Sequence, residues 1–188
     1  MRIISGVFRG KKIQESKDIK TRPLKDLAKE SIFNIIIHSN KFEINLENSN
    51  ILDLFSGVGS FGIECLSRGA KKVTFVENYN GVLPILKKNL NNIKPIFNYE
   101  VCEKNIYDIN TFLRLIDKFD IIFLDPPYKD KDLKKILNNI KETEILKKSG
   151  IIIIHRHKKE KDILPKGFEV IEEKKYGISK ILFLSYLS

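Results

Sequence analysis

The sequence predicts a doubly wound α/β fold: a mostly parallel sheet of about seven strands, preceded by a short basic N-terminal β-hairpin and helix. Three observations carry that prediction. Short apolar runs alternate with helical stretches from Asn50 onward, the pattern of a parallel sheet with helical crossovers. A glycine-rich turn from Gly57 to Gly62 joins the first run to its helix. The last two apolar runs, 168–173 and 180–186, are separated only by Lys174–Ser179. That link is too short for a helical crossover, so the final pair is antiparallel or nearly so.

Taken in order, residues 2–14 read as two short strands with Gly6 and Gly10 as bends. Pro23 opens a helix of about 24–38, because Leu24, Leu27, Ala28, Ser31, Ile32, Ile35 and Ile36 recur at helical spacing. Lys25, Asp26, Lys29 and Glu30 occupy much of its remaining face. Ile51-Leu52-Asp53-Leu54 is a buried strand, and the helix after the glycine turn runs to about Arg68, closed by Gly69. Lys72–Val76 is the second strand, ending in Glu77. A helix from about Tyr79 to Leu90 follows, which Pro84 kinks if it lies beyond the first turn. Further strands are expected near 98–102, 120–124 and 150–154.

The chain of 188 residues suits one core and needs no staples. Cys65 and Cys102 make no disulfide framework, and the expectation is a reduced, cytoplasmic protein. No apolar run approaches the roughly 20 residues that span a bilayer, and Met1–Gly6 lacks the apolar stretch of a signal peptide. The formal net charge is +10. Residues 1–30 hold nine Lys or Arg against four Asp or Glu, hence half of that excess. Basic charge concentrated in this way points to a polyanion.

The turn Asp53-Leu54-Phe55-Ser56-Gly57-Val58-Gly59-Ser60-Phe61-Gly62 fits the G-x-G-x-x-G pattern at Gly57, Gly59 and Gly62. Glycines there let the backbone turn sharply and approach a ligand. Glu77 ends the second strand twenty residues after Gly57, where an acidic group in such folds accepts hydrogen bonds from a ribose diol. Glu77 beside Asn78 also suits the start of a helix electrostatically. The two features describe a nucleoside-binding crevice, which NAD and S-adenosylmethionine both fit. Asp53 and Ser56 tilt the choice. A carboxylate beside the glycines suits the sulfonium and ammonium of S-adenosylmethionine better than a pyrophosphate. Asp53 also suits the capping of backbone groups in the turn.

Asp125-Pro126-Pro127-Tyr128 follows the strand Asp120–Leu124, at the end of the sheet where ligands bind. Two prolines fix the backbone and remove two N–H donors. What remains are acceptors, the Asp125 carboxylate and the Pro126 carbonyl, with Tyr128 adding an aromatic face. An exocyclic base amine is a poor nucleophile because its lone pair is delocalised into the ring. Two acceptors on its hydrogens orient the nitrogen towards a methyl donor and favour the positive charge that develops on it. Tyr128 is placed to stack on the base.

At these residues the chain resembles the amino-group methyltransferases that share Asp/Asn-Pro-Pro-Tyr/Phe. More narrowly it is similar to the bacterial 16S rRNA guanine-N2 methyltransferase family. The resemblance covers nearly the whole chain. It includes Arg2–Gly6 with Arg9-Gly10-Lys11, Thr21-Arg22-Pro23, then Asp26, Glu30, Phe33 and Asn34. Asp53–Gly62, Asp125–Tyr128 and the closing hairpin at Tyr176-Gly177 complete it. It implies a Rossmann-like, metal-free, S-adenosylmethionine-dependent enzyme methylating the N2 amine of a guanine in small-subunit rRNA, free or in an assembling subunit. It also implies cofactor contacts at Asp53, Phe55, Ser56, Gly57, Glu77 and Asn105.

The candidate cofactor set is therefore these six with Gly59, Gly62 and Asn78, and the catalytic set is Asp125, Pro126 and Tyr128. Residues 1–40 are read as a basic RNA-binding extension that does not complete the core, with Arg2, Arg9, Lys11, Lys12, Arg22, Lys25 and Lys29 as its contacts. Residues 41–188 are read as the catalytic domain, and a monomer is expected. Where the family tends to carry arginines in the first helix, Leu27 and Lys29 stand here; Lys29 keeps the charge. His155 and His157 read as polar residues near the sheet edge, since no Cys or carboxylate cluster nearby completes a metal site. Three other functions compete. A DNA adenine-N6 methyltransferase would use the same motifs but usually needs more residues for its target. A non-catalytic RNA-binding module is disfavoured by the intact Asp125 and Tyr128. An NAD-dependent oxidoreductase is disfavoured by Asp53.

Overall fold

Among the described residues, five α-helices and seven β-strands form the framework. The structure is a computed structural model describing residues 1–18, 24, 26–95, 98–127 and 130–187. After α1 (Asp26–His38) the chain alternates: β1 (Asn50–Leu54), α2 (Ser60–Ser67), β2 (Lys72–Val76), α3 (Leu83–Asn91), β3 (Tyr99–Cys102), α4 (Ile109–Leu113), β4 (Phe119–Leu124), α5 (Leu133–Glu142) and β5 (Leu146–His157). The hairpin β6 (Phe168–Tyr176) and β7 (Ser179–Tyr186) closes it. The strand order is β3-β2-β1-β4-β5-β7-β6. Strands β1 to β5 are parallel, and β7 runs antiparallel between β5 and β6. The doubly wound α/β expectation holds, and the order reverses between β1 and β4, where such folds bind ligands.

The continuous apolar runs divide between two cores because side chains alternate along a strand. Ile51, Ile121, Phe123, Ile151 and Ile153 enter one core, with α1, α2 and α3 residues such as Phe33, Phe61 and Leu86. Leu52, Leu54, Ile122, Leu124, Ile152 and Ile154 enter the other, with Phe112 of α4 and Ile136, Leu137 and Ile140 of α5. Pro84 sits in the first turn of α3, so no kink arises; the helix begins four residues later than its spacing suggested.

The first forty residues correct an expectation. Ile3, Ile13, Ile32, Phe33 and Ile36 are buried in the first core. The Phe61 ring stacks on Phe33 at 5.3 Å and on Phe123 of β4 at 4.0 Å between centroids, so α1 reaches the sheet through α2. The segment therefore completes the core. Its turn is held by an Arg2–Lys12 bridge and by Ile3 N–H donating to the Lys11 carbonyl. Glu64 of α2 anchors it, accepting from the backbone N–H of Ile4 (2.8 Å) and Ser5 (2.9 Å).

Candidate active site

Register sets the site. Leu54 pairs with Val76 and with Leu124, and Leu124 with Ile154. The next residue of each chain segment, Phe55, Glu77, Asp125 and His155, therefore emerges at one C-terminal edge of the sheet. β1, β2 and β4 end on these apolar residues, while β5 runs on to His157, so Glu77, Asp125 and His155 gather with Phe55 around the switch point.

The first loop is held by backbone groups and carboxylates. Asp53 is 1% exposed, and its Oδ2 accepts from the Gly62 N–H at 3.0 Å. Ser56 Oγ donates to the Asp53 carbonyl at 2.5 Å, and the Ser56 N–H donates to the Val76 carbonyl at 3.2 Å. Glu77 accepts from the Gly57 N–H at 2.8 Å and from the N–H groups of Asn78 and Tyr79 at 2.9 Å each. One carboxylate thus joins the loops after β1 and β2. Phe55 has φ +58°, a left-handed conformation that is costly for a bulky residue and is found where a site over-determines the backbone. Its ring meets Tyr107 edge-on, 5.9 Å between centroids.

The three glycines divide their work. Gly57, at φ +56°, is half-buried and gives its N–H to Glu77. A Cβ at Gly59 would lie 2.6 Å from Leu86, and one at Gly62 would lie 2.3 Å from the Phe75 ring. Gly59 and Gly62 are both buried, and the Gly62 N–H is already taken by Asp53. The reading of Gly62 as a cofactor contact is corrected: it lets α2 pack on β2. Asn78 and Asn105 are exposed, and Asn105 Oδ1 accepts from the Tyr107 N–H at 3.0 Å.

Burial raises the Asp53 carboxyl well above the usual range; the Gly62 N–H opposes this, while the charges of Asp125 and Glu77 add to it. Such a group holds its proton more tightly folded than unfolded. Its penalty is absent below the ordinary carboxylate pKa of about 4 and grows as pH rises toward the folded-state value. Asp53→Asn keeps an acceptor for Gly62 and removes the charge. It should raise the melting temperature of the ligand-free protein at about pH 8 and bring no gain near pH 4. Equal gains at both pH values in a calorimetric scan would contradict this account of Asp53.

On the other side of the switch point Asp125 Oδ1 lies 2.8 Å from His155 Nδ1, and His155 Nε2 lies 2.9 Å from Ser179 Oγ of β7. Arg156 is 1% exposed and binds Asp162 through Nη2 at 2.7 Å. It also donates to the carbonyls of Pro127 (3.3 Å) and Asp130 (2.8 Å). The Tyr107 hydroxyl bonds Asp130 from α4's side. Arg156 and Tyr107 thereby hold the loop that carries Pro126 and Pro127. Tyr128 itself lies outside the described residues. Sequence reasoning missed this role of β5, and its placement of His155 near the sheet edge is corrected. Because β7 enters between β5 and β6, His155 is covered and 6% exposed. Aligning the last apolar residue of each parallel run would have placed it beside Asp125.

The basic residues separate in the same way. Arg2, Arg9, Lys11 and Lys12 are exposed on the N-terminal turn. Arg22 and Lys25, with Thr21 and Pro23, lie outside the described residues. Lys29 is corrected as an RNA contact: it is 0% exposed, donates to the Arg2 carbonyl at 2.8 Å and lies 3.5 Å from Glu64 Oε2. Burial lowers its pKa although Glu64 and Asp26 favour the charged form. Among the described residues no group of three His, Cys, Asp or Glu is placed to hold a metal ion, and no helix is long and apolar enough to cross a membrane.

A family model described as conserved hypothetical protein 95 matches residues 1–185. The chain belongs to that family. Ribosomal RNA small subunit methyltransferase D of Haemophilus influenzae is 34% identical over 179 residues, covering 95% of this chain and 90% of that protein. The protein of the same name from Buchnera aphidicola (subsp. Acyrthosiphon pisum) is 33% identical, covering 92% and 86%. A solved methylase candidate from Haemophilus influenzae is 33% identical with a TM-score of 0.76, covering 100% of this chain and 98% of the other. A methyltransferase candidate from Escherichia coli has a TM-score of 0.83 at 24% identity, covering 100% and 98%, and shows the shared Rossmann-like fold. These relatives match this chain nearly end to end, so the N-terminal turn and α1 lie within the matched region as the sheet does.

Proposed function

We propose that this protein transfers a methyl group from S-adenosylmethionine to the exocyclic N2 amine of a guanine in 16S, small-subunit ribosomal RNA. The observation that carries the reading is the Asp125-Pro126 acceptor pair at the switch point. Oδ1 of Asp125 is engaged by His155, and among the described residues nothing donates to Oδ2 or to the Pro126 carbonyl. The Asp125 side chain is 18% exposed, open enough to meet a substrate group. Two such acceptors suit an –NH₂ group, which brings two hydrogens and no charge.

The crevice fits S-adenosylmethionine. Two carboxylates, Glu77 and Asp125, lie near enough to Asp53 for their charges to act on it. That arrangement repels a pyrophosphate and favours a ligand bearing sulfonium and ammonium cations, which argues against NAD. Gly57 and Glu77 would hold the nucleoside, with Phe55 and Asn78 beside it and Ser56 keeping the loop in place. Asp53 would hold the turn through its bond to the Gly62 N–H, and Asn105 would border the base. The bound cofactor supplies an electrophilic methyl group. Asp125 and Pro126 orient the amine lone pair and stabilise the positive charge that grows on nitrogen. Tyr128 is proposed to stack on the base.

The acceptors do not choose guanine over adenine. The choice of guanine rests on the whole-chain resemblance to the guanine-N2 family; small-subunit rRNA is supported by the names of relatives of nearly equal length, and RNA by the exposed Arg2, Arg9, Lys11 and Lys12. An unpaired or weakly stacked target suits a small enzyme with little surface to offset base extrusion. Nucleoside mass spectrometry of small-subunit rRNA from cells with and without the protein tests the proposal. N2-methylguanosine should fall in the deletion strain and return with the wild-type chain. An unchanged level would overturn it.

A further inference from the structure

We infer that His155, backed by Ser179, is a positioning residue that fixes the Asp125 carboxylate so that one oxygen is kept for the substrate amine. The inference rests on the reading of Asp125 proposed above. Parallel register between β4 and β5, with Leu124 paired to Ile154, sets the two residues side by side. The contacts then use both nitrogens of a nearly buried ring: Nδ1 to Asp125 Oδ1 at 2.8 Å, Nε2 to Ser179 Oγ at 2.9 Å.

The chemistry of the ring makes this arrangement directional. In neutral imidazole one nitrogen donates and the other accepts. A Ser179 hydroxyl donating to Nε2 leaves the proton on Nδ1, facing Asp125. In imidazolium both nitrogens donate, and Ser179 Oγ accepts. Asp125 Oδ1 receives a hydrogen bond in either state, so the carboxylate plane is held through a change of His155 charge. Without the ring, rotation of the carboxylate would offer either oxygen at a range of angles, and the amine would lose its fixed acceptor.

The charged neighbours do not compete for the ring. Arg156 turns to Asp162, and Lys180, its partner across the β5–β7 ladder, donates to the Glu160 carbonyl at 2.7 Å. Asp125 is the charge that faces His155. Burial pulls the imidazole pKa down, and the charge and hydrogen bond of Asp125 outweigh it, so the net shift is upward.

Steady-state methylation of small-subunit rRNA by His155→Ala, His155→Asn, Ser179→Ala and the Asp125→Ala/His155→Ala double variant tests the role. His155→Ala should lower kcat about 10–100-fold, the worth of a hydrogen bond to a charged group. S-adenosylmethionine affinity should change less than about twofold, as expected for a group acting only on the transition state. His155→Asn retains a donor near the Nδ1 position and should recover most of the loss, and Ser179→Ala should lose less than His155→Ala. In the Asp125→Ala background, removing His155 should change nothing further, because the ring acts through that carboxylate. An unchanged kcat in His155→Ala, or the same additional loss in the double variant, would overturn the inference. The NMR titration of the His155 ring in the ligand-free protein separates this from the functional reading. The titration point should move down in Asp125→Asn, and an unmoved one would overturn the pairing whatever the protein's substrate. Failure of the wild-type chain to methylate rRNA, with the titration shifted, would instead count against the proposed function.

Discussion

Glu64→Ala should cost about 3–5 kcal/mol of stability, the toll of breaking a buried ion pair by removing one partner. Both Glu64 and Lys29 are fully buried and 3.5 Å apart. Glu64 also takes the N–H groups of Ile4 and Ser5 and the Arg68 Nε–H at 2.9 Å. Its loss leaves the buried Lys29 ammonium with the Arg2 carbonyl and Asp26, 4.0 Å away, and two backbone donors without their acceptor. Arg68 lies over the Phe33 ring at 4.3 Å, so the disturbance extends to the aromatic stack beneath α1. A Lys29→Met/Glu64→Gln variant removes both charges together and should lose less than Glu64→Ala. Urea denaturation measures both. A loss under about 1 kcal/mol for Glu64→Ala, typical of a surface site, would mean that the N-terminal segment is not anchored this way. By the same packing, a chain starting near residue 40 should fail to fold, since it would expose Phe61 and lose Ile32 and Phe33 from the core.

Asp125→Ala should lower kcat about 10²–10³-fold, the loss seen when one preorganised group for developing charge is removed, here in its anionic counterpart. Asp125 reaches the crevice from the far side of the switch point, while Glu77 and Gly57 are bonded to one another. S-adenosylmethionine affinity should therefore stay within about threefold. Isothermal titration with quench-flow kinetics separates the two effects. Wild-type turnover would remove Asp125 from the mechanism. A large loss of cofactor affinity would place it in the cofactor site.

What the sequence revealed, and what it hid, follows from the range of the forces involved. The runs Ile51–Leu54, Lys72–Val76 and Asp120–Leu124 are local signals, and each is a strand at nearly the expected bounds. The glycine turn, Glu77 and Asp125 lie at strand ends, so locating the strands located them. Lys29 misled because a charge on an amphipathic helix reads as solvent-facing. Its partner is Glu64, thirty-five residues away, and only the packing of α1 against α2 brings them together. The left-handed Phe55 has no sequence signal, since nothing but Gly or Asn announces a positive φ. The burial of His155 depended on β7 entering between β5 and β6, a long-range pairing that no window of sequence contains. The candidate substrate contacts at Arg2, Arg9, Lys11 and Lys12 rest on charge and exposure together.

The central claim is amino-group methylation of small-subunit rRNA by an acceptor pair at the β1–β4 switch point. Labelled S-adenosylmethionine should be offered to the protein with small-subunit rRNA, with partly assembled small subunits and with duplex DNA, and the products digested to nucleosides. Label is expected in N2-methylguanosine from one or both rRNA substrates, abolished by Asp125→Ala, and none in DNA. Label in N6-methyladenine of DNA, with none in rRNA guanine, would contradict it.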